Sequence, residues 1–274
     1  MRVTAVQLCS NTDRNHNWAE IEKYIRAAAA ERSDMVVLPE ACSYRGPADP
    51  AMIEDLSGPT IKLVSGLAKS LGIAVHVGGL WTKSGDDARP YNTAVYVDAA
   101  GAVRATYNKL HLFQVHGEEV EEDEAAYTTH GSDMVIVKGT ELTLGVTICY
   151  DLRFPELFRV LAAAGAELML VPSNFSMFTG RDHFELLLRA RAAENNVYVV
   201  GAAQVGLDPA GAPTYGRSMI IDPWGTVLAQ APDEPGIVTA DLKRDRIAKV
   251  RAILPAFHDR RPDIYVRPIK EFVL

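Results

Sequence analysis

One stretch in the middle of the chain changes abruptly from strand-like to helix-like sequence. Residues 141–148 are rich in Thr, Val and Ile and are apolar enough for a strand that is buried on both faces of a sheet. Pro155 then suits the first position of a helix, whose apolar stripe begins at Leu157 and which Gly165 would end. The turn between the strand and the helix carries Cys149. A strand that leads directly into a helix is typical of an α/β fold.

The same alternation of strands and helices runs through both halves of the chain. Apolar runs and turn signals predict a pair of strands over residues 134–148 and single strands at residues 1–8, 34–40, around 75, 92–98, 103–107, 168–171, 197–203, 218–222, 227–229 and 237–240. Asn17 with Glu20, and Asp182 with Glu185, have the spacing of a capping box, so helices are expected to begin there. The predicted fold class is therefore α/β: a four-layer α-β-β-α sandwich of two mixed sheets with outer helices.

The domain organisation follows from the absence of any sequence break. The 274 residues contain no linker, low-complexity segment or solenoid repeat, so we expect one domain over residues 1–274. From about residue 258 the sequence becomes rich in Pro and Arg. The alternation of residues 264–266 favours an extended arm in this tail.

Composition and charge exclude several classes of partner. A net charge of −7 argues against nucleic acid or an acidic membrane surface, and no apolar run approaches membrane-spanning length. The first residues look like a strand, which leaves no room for a signal peptide. Cys9, Cys42 and Cys149 show neither CxxC nor Cys/His metal-ligand spacing. We therefore expect a cytoplasmic protein with reduced thiols and no metal site.

Three chemically different side chains are expected at strand ends, where ligands bind in open α/β sheets. Glu40 follows a short buried strand, Lys109 leaves a strand among aromatic and apolar neighbours, and Cys149 precedes a helix N-terminus that favours a thiolate. Each also has an ordinary structural interpretation: Glu40 as a solvated strand end, Lys109 as a snorkelling side chain and Cys149 as a buried thiol. Their combination on different strand ends favours catalysis.

The segments that contain these three residues resemble the catalytic blocks of the carbon–nitrogen hydrolase (nitrilase) superfamily. They are Val-Val-Leu-Pro-Glu40, Tyr-Asn-Lys109-Leu-His-Leu-Phe and Gly-Val-Thr-Ile-Cys149-Tyr-Asp-Leu-Arg-Phe-Pro-Glu-Leu, in the family's order. Residues 179–185, 188–192 and 218–225 also look like family segments, so the resemblance covers nearly the whole chain. It is nearest to the Nit and ω-amidase branch, which cleaves linear amides of small carboxylated compounds.

The resemblance implies roles for the three residues. Glu40 would be the general base, and Cys149 would attack the amide carbonyl to form a thioester with release of ammonia. Lys109 and the backbone N–H of Tyr150 would hold the oxyanion. The family's chemistry requires no metal and no organic cofactor.

The family also has a second catalytic glutamate between the lysine and the cysteine. Here that interval contains an acidic run, residues 117–124, with six carboxylates. Glu124 ranks first because it lies seven residues before Gly131, which is the spacing of the related branch, and Glu118 ranks second. The remaining rivals, which are more simply explained as a solvated face, are Glu119, Glu121 and Glu122.

Four residues are expected to bind the substrate. Tyr150 and Arg153 follow Cys149, and Asn174 and Phe175 follow a neighbouring strand. Arg153 suits a bidentate clamp on a substrate carboxylate, although a structural pair with an acidic neighbour explains it equally well. Tyr150 contributes its backbone N–H, as the resemblance implies. Asn174 and Phe175 follow a strand end and are expected to line the pocket, as the corresponding stretch does in relatives.

The leading interpretation is an amidase that acts on a small linear, carboxylated amide. An N-carbamoyl amide hydrolase is the alternative, followed by a nitrilase, a catalytically silent interaction module and a redox-sensing thiol protein. Arg217 stands where relatives of this branch usually carry His, which leaves the substrate class open. The expected partners are a small-molecule amide and further copies of the chain, in a homodimer or higher homo-oligomer.

Overall fold

The computed structural model describes residues 1–85, 89–117 and 121–272. Its strands in the first half are β1 (Arg2–Gln7), β2 (Met35–Val37), β3 (Ala74–Thr82), β4 (Tyr91–Val97), β5 (Val103–Asn108), β6 (Gln114–His116) and β7 (Glu121–Asp123). The strands in the second half are β8 (Val135–Val137), β9 (Leu144–Val146), β10 (Leu168–Ser173), β11 (Tyr198–Ala203), β12 (Val205–Leu207), β13 (Pro213–Tyr215), β14 (Met219–Ile221), β15 (Val227–Gln230) and β16 (Gly236–Asp241).

The α-helices of the described ranges are α1 (Arg14–Ala30), α2 (Pro59–Leu71), α3 (Pro155–Ala163), α4 (Met177–Asn195), α5 (Arg244–Ile253) and α6 (Pro262–Tyr265). Short 3₁₀ turns cover Pro50–Met52, Glu124–Ala126 and Cys149–Arg153. None of the described helices combines the length and the apolar character needed to cross a membrane.

Two six-stranded mixed sheets are formed by the described residues. The first has the order β16-β1-β2-β3-β4-β5 and the second the order β15-β14-β11-β10-β9-β8. In each sheet three neighbouring strands are parallel, β1 to β3 in the first and β9 to β11 in the second, and antiparallel strands flank them. Crossover helices connect the parallel strands, as parallel pairing requires. The carboxyl ends of six strands, three from each sheet, are thereby available for a site.

Apolar packing arranges the sheets and helices in layers. One hydrophobic cluster joins α1 and α2 to the first sheet, for example Ile21, Ile25 and Val64 against Val36 and Val75. A second cluster fills the space between the sheets and continues under α3 and α4; it includes Val3, Val37, Ala94, Tyr107, Val146, Phe158, Leu170, Phe184 and Leu188. The predicted α-β-β-α sandwich is therefore confirmed.

Two predicted helix starts are wrong, because each helix is capped by a residue that comes earlier in the chain than the predicted one. Helix α1 is capped by Asp13, whose carboxylate accepts hydrogen bonds from the N–H groups of residues 15 and 16. Asn17 is instead buried, and its side chain holds the backbone of Asn11 and Ser43. Helix α4 begins at residue 177 after the cap Ser176, so Asp182 lies within the helix rather than at its start.

The C-terminal tail is exposed, and part of it is helical rather than extended. Residues 262–265 form α6, because Pro262 at the first helical position has the required backbone angle. From the last residue of α6 onwards, the apolar side chains of Tyr265, Val266, Ile269 and Phe272 are 70–88% exposed. These side chains find no cover within the described chain.

His76 is an unusual member of the core of the first sheet. It lies on β3 between Val37 and Tyr96 of the neighbouring strands and is fully buried. Neither ring nitrogen has a hydrogen-bond partner among the described residues. Burial lowers the pKa of His76 to about 3 from its usual 6.5, so the ring is neutral in the folded chain.

We predict that His76 destabilises the fold progressively as the pH falls from 6.5 to 3. In that window the unfolded chain binds a proton at His76 and the folded chain does not, so the free energy of unfolding falls by up to about 1.4 kcal/mol per pH unit from this group. His76→Leu should unfold at higher urea concentration and lose this share of the pH dependence. Urea titrations at several pH values measure both effects, with the exposed His16→Leu as control. Parallel pH curves for the native chain and His76→Leu would contradict the prediction.

Candidate active site

A cavity of about 440 Å³ opens at the carboxyl ends of strands from both sheets. Its lining includes Glu40 after β2, Lys109 after β5, Cys149 after β9 and Asn174 after β10. The three residues that the sequence places at separate strand ends are thus brought to one cavity, together with Glu124.

Glu40 is held by close approach of the neighbouring strand. Strand β3 has an irregularity at Gly78 and Gly79, where its register with β4 shifts. A Cβ at Gly78 would collide with the carbonyl of Leu38, and one at Gly79 would lie 2.7 Å from Asn92 Oδ1, so glycine is required at both positions. Gln204 Nε2 donates to the backbone carbonyl of Glu40 at 2.9 Å. The carboxylate is therefore fixed, and it is buried.

Lys109 is a buried cation between two carboxylates. Its side chain is almost fully buried, and its Nζ donates to Glu40 Oε1 at 2.9 Å and to Glu124 Oε2 at 2.7 Å. Burial alone would lower the pKa of Lys109, but the charges of Glu124 and Glu40 outweigh it and raise that pKa well above its usual value. Lys109 is therefore an ammonium ion, which suits the stabilisation of a developing negative charge.

Asn92 is a second donor that bridges the two carboxylates. Its Nδ2 donates to Glu40 Oε1 at 2.9 Å and to Glu124 Oε1 at 3.1 Å. Glu124 Oε2 also accepts the backbone N–H of Phe113 at 2.7 Å. Glu40 Oε1 and both carboxylate oxygens of Glu124 thus accept hydrogen bonds. Sequence reasoning missed Asn92. The available signal was its position opposite Lys109 across the β4–β5 pair, where Lys109 N donates to Asn92 O.

The structure distinguishes the rival glutamates of the acidic run. Glu124 reaches Lys109, whereas Glu122 accepts a hydrogen bond from Tyr127 and Glu121 is exposed on β7. Glu118 and Glu119 lie outside the described residues. Among the described rivals, the geometry favours Glu124 as the second carboxylate of the site.

Cys149 lies on a strained turn that follows β9. Its φ is +48°, a left-handed conformation that residues other than glycine seldom adopt and that clusters at functional sites. Burial and then the negative charge of Glu40 raise the pKa of the Cys149 thiol well above its usual value, against an opposing effect of Lys109. The backbone N–H of Asn174 also faces the sulfur. At rest the side chain is therefore a neutral thiol beside a carboxylate.

A buried aspartate holds this turn in place. Asp151 accepts hydrogen bonds from Tyr107 Oη at 2.6 Å and from the backbone N–H groups of Ile148 and His111 at 2.8 and 3.1 Å. His111 Nδ1 lies 2.7 Å from the same carboxylate. Because Tyr107 and His111 flank the lysine segment, Asp151 links the cysteine turn to the strand end that carries Lys109. Sequence analysis assigned no role to Asp151.

Of the four residues predicted to bind substrate, only Asn174 lines the cavity in the described chain. Its Oδ1 is buried without a hydrogen-bond partner there. Arg153 instead lies against the rings of Tyr150 and Phe175, with Nη1 at 3.2 Å from His183 Nδ1. The structure thus does not bring the side chains of Tyr150, Arg153 and Phe175 to the cavity wall.

Several cavity residues were not anticipated from the sequence. Aromatic side chains form one wall, with Tyr44 at 5.7 Å and Tyr127 at 6.1 Å from Trp81 between ring centroids. Arg45 and Arg181 supply cations, and a second wall comes from residues 208 and 212–214. Within the described ranges, no group of three or more His, Cys, Asp or Glu side chains is arranged to hold a metal ion.

We predict that Lys109→Met destabilises the fold and makes Cys149 less acidic. Removing one partner of a buried ion pair costs roughly 3–5 kcal/mol, and loss of the ammonium removes the charge that lowers the pKa of Cys149. The pH profile of iodoacetamide alkylation should therefore move to higher pH. Urea unfolding measures the stability.

The matched control is Lys83→Met. Lys83 forms an exposed ion pair with Asp55 at 3.1 Å, and such pairs contribute only about 0–1 kcal/mol. Equal losses of stability in the two variants, or an unchanged alkylation profile in Lys109→Met, would show that the buried pair does not have the proposed electrostatic role.

Comparison with known proteins agrees with this geometry. The model of the carbon–nitrogen hydrolase family matches residues 2–252. A deaminated glutathione amidase from Mus musculus is 37% identical over 271 residues, which cover 96% of this chain and 84% of the relative. A deaminated glutathione amidase from Synechocystis sp. is 34% identical over 262 residues, which cover 93% of this chain and 96% of the relative.

A solved structure shows the same fold. The crystal structure of Saccharomyces cerevisiae Nit3, a member of branch 10 of the nitrilase superfamily, matches with a TM-score of 0.84 and 29% identity, over 93% of this chain and 94% of that one. The resemblance seen in the sequence to the Nit and ω-amidase branch is thereby confirmed. The chain is an amidase-type hydrolase of C–N bonds other than peptide bonds, and it belongs to the carbon–nitrogen hydrolase family.

Proposed function

We propose that this chain hydrolyses a small linear, carboxylated amide through a thioester on Cys149. The observation that carries the proposal is the contact of Lys109 Nζ with two buried carboxylates, Glu40 and Glu124, in the cavity that contains Cys149. A buried acid–base group, a cation and a thiol in one cavity are the components that acyl transfer needs.

In the first step Glu40 takes the proton of the Cys149 thiol, and the sulfur attacks the carbonyl carbon of the amide. The raised pKa of the thiol supports this order, because the thiolate then forms only as a base accepts its proton. Negative charge develops on the carbonyl oxygen. Lys109 Nζ and the backbone N–H of Tyr150 are the proposed donors to that oxygen.

In the second step the C–N bond breaks. The nitrogen takes the proton from Glu40 and leaves as ammonia, and the acyl group remains on sulfur as a thioester. Water then gives a proton to Glu40 and its hydroxide attacks the thioester carbonyl. Collapse of that intermediate releases the carboxylic acid, and Cys149 recovers its proton from Glu40, so the site returns to its starting state.

Glu124 and Asn174 have supporting roles in this proposal. Glu124 neutralises and orients Lys109 from a distance of 2.7 Å, so the ammonium does not turn towards solvent. Asn174 Oδ1 is an acceptor without a partner in the described chain, which suits the N–H groups of a substrate amide. The backbone N–H of Asn174 faces the sulfur.

The substrate class follows from the relatives and from the chemistry of the cavity. Two of the relatives are named deaminated glutathione amidases, so their names describe cleavage of an amide. A small linear, carboxylated amide is the class we propose here. The N-carbamoyl alternative predicts release of carbon dioxide as well as ammonia, and the relatives do not favour it.

We predict that Cys149→Ala abolishes turnover without unfolding the chain, because only a buried thiol is lost. With the native chain, rapid quenching and intact-mass measurement should show a mass increase equal to the acyl group of the substrate. That adduct should be absent from Cys149→Ala. A panel of amides, carbamoyl compounds and nitriles, read by ammonia release, identifies the reaction.

Glu40→Gln is the matched test of the base. It should lower turnover by about 10²–10⁴-fold, the usual contribution of a general base. Yet it should shift thiol alkylation to lower pH, because the Glu40 charge raises the pKa of Cys149. Retained turnover in Cys149→Ala, with contaminating enzyme excluded, would contradict the cysteine mechanism. An alkylation profile that moves to higher pH in Glu40→Gln would contradict the assignment of Glu40 as the base.

We also propose that the chain forms a homodimer or a higher homo-oligomer through exposed apolar surface. The exposed large apolar side chains include Leu186 on α4 at 63% and Ile253 on α5 at 69%, besides those of the tail. Such surface favours association. Sedimentation at micromolar concentration should show at least a dimer, and deletion of residues 262–274 should weaken it. A monomer for the full chain at that concentration would reject the proposal.

A further inference from the structure

A second buried cation lies in the wall of the same cavity. Arg45 follows Glu40 by five residues, lines the cavity and is only 4% exposed. We propose that Arg45 binds the substrate carboxylate and sets the preference for anionic amides, an inference that rests on the proposed hydrolysis of such an amide at Cys149.

The guanidinium of Arg45 lacks partners within the described chain. Its Nε and Nη2 are buried without a hydrogen bond, and Nη1 reaches only the carbonyl of Leu207 at 3.4 Å. Arg191 is equally buried, at 5%, but it donates Nε and Nη2 to Leu152 O at 3.0 and 2.8 Å. A buried cation without partners is unfavourable. Arg191 therefore has the hydrogen bonds of a structural residue, whereas Arg45 has donors that remain available for a ligand.

The unpaired atoms of Arg45 indicate which chemical group would pair with them. Nε and Nη2 form one edge of the guanidinium, and this edge binds carboxylates through two N–H groups. Elsewhere in the chain Arg246 uses it in this way, with Nε at 2.9 Å and Nη2 at 2.7 Å from Asp222 Oδ2. In Arg45 this edge lies beneath the cavity wall, so pairing with a ligand includes a rotation of the side chain towards the cavity.

The other charged groups of the cavity do not neutralise Arg45. Burial lowers its pKa, and the charges of Asp208, Cys9 and Glu40 only partly oppose that effect. Asp208 Oδ1 accepts the backbone N–H groups of residues 210 and 212 within its own turn. Glu40 contacts Lys109. A carboxylate brought by the substrate would therefore supply the missing charge.

The other cavity cations are less suited to this role. Lys109 is already bonded to two carboxylates. Arg181 lines the cavity, but its side chain is 63% exposed and lies 3.3 Å from Asp182. Among the described lining residues, Arg45 is the buried cation without a carboxylate partner.

The backbone of Arg45 is fixed relative to the base. Its N–H donates to Asn11 O at 3.1 Å, and Asn17 Nδ2 donates to the carbonyl of Ser43 at 3.0 Å. The loop that leaves Glu40 is thus anchored to the segment before α1. A carboxylate held by Arg45 would place the amide at a defined distance from Glu40 and Cys149.

The test compares glutaramate with 5-oxohexanamide, a neutral analogue of the same length. We expect the native enzyme to prefer glutaramate in kcat/KM, and Arg45→Met to reduce that preference by about 10–100-fold, mainly through KM, as loss of one charge-assisted contact does. Arg45→Lys should restore part of the preference. Arg104→Met, which removes an exposed arginine that does not line the cavity, controls for net charge. Arg153→Met tests the competing residue.

Binding of glutaramate to Cys149→Ala, measured by calorimetry, provides a readout independent of turnover. The affinity for glutaramate should be about 10–100-fold lower in Cys149→Ala/Arg45→Met than in Cys149→Ala. This loss of binding supports the inference even if the native chain hydrolyses neither amide. In that case only the proposed reaction is wrong. Equal use of both amides by the native enzyme overturns the carboxylate site. A preference that is unchanged in Arg45→Met, or that is lost in Arg153→Met instead, overturns the assignment to Arg45. If Arg45→Met does not fold, Arg45→Lys and Arg45→Gln give the same comparison.

Discussion

The contact of one buried ammonium group with two buried carboxylates determines the arrangement of the whole site. Lys109, Glu40 and Glu124 come from three separate segments, and each would be costly to bury alone. Their mutual attraction fixes the end of β2, the end of β5 and the loop after β7 relative to one another. Asp151 then ties the cysteine turn to the lysine segment through Tyr107 and His111. The reactive groups of both sheets are positioned by charge and hydrogen bonds rather than by apolar packing alone.

This arrangement also keeps the charge of the site constant during the proposed reaction. At rest two carboxylates, one ammonium and a neutral thiol give a net charge of −1. Proton transfer from Cys149 to Glu40 moves that charge to sulfur, and attack moves it to the carbonyl oxygen beside Lys109. No step requires a further buried charge, which is unfavourable in a low-dielectric cavity. The raised pKa of Cys149 is consistent with such a site, because the free thiolate would add a second unbalanced negative charge.

The sequence predicted the layers of the fold and the three strand-end residues, because both depend on local patterns. The alternation of buried strands and amphipathic helices is visible in the chain, and Glu40, Lys109 and Cys149 directly follow strands. Contacts between distant segments were not predictable in this way. Asn92 and Asp151 act through partners 32 to 52 residues away. The predicted helix starts were wrong for a different reason: at each start two capping residues lie four to six positions apart, and sequence alone does not rank them.

The two arginines show that distance along the chain from Cys149 does not determine which side chains line the cavity. Arg153 is four residues from Cys149, but its guanidinium lies over the rings of Tyr150 and Phe175 and forms cation–π contacts with them. Arg45 is 104 residues from Cys149 in the chain but lines the same cavity, because the loop after β2 and the turn after β9 meet between the sheets. In the proposed arrangement the strand ends carry the reactive groups, and the loop after β2 carries the group that binds the substrate carboxylate. The loop that begins at Glu40 does both, so a substrate carboxylate held by Arg45 is placed directly with respect to the base. Recognition of the substrate carboxylate by Arg45 and proton transfer by Glu40 then depend on the same anchored segment, because the two residues are five positions apart.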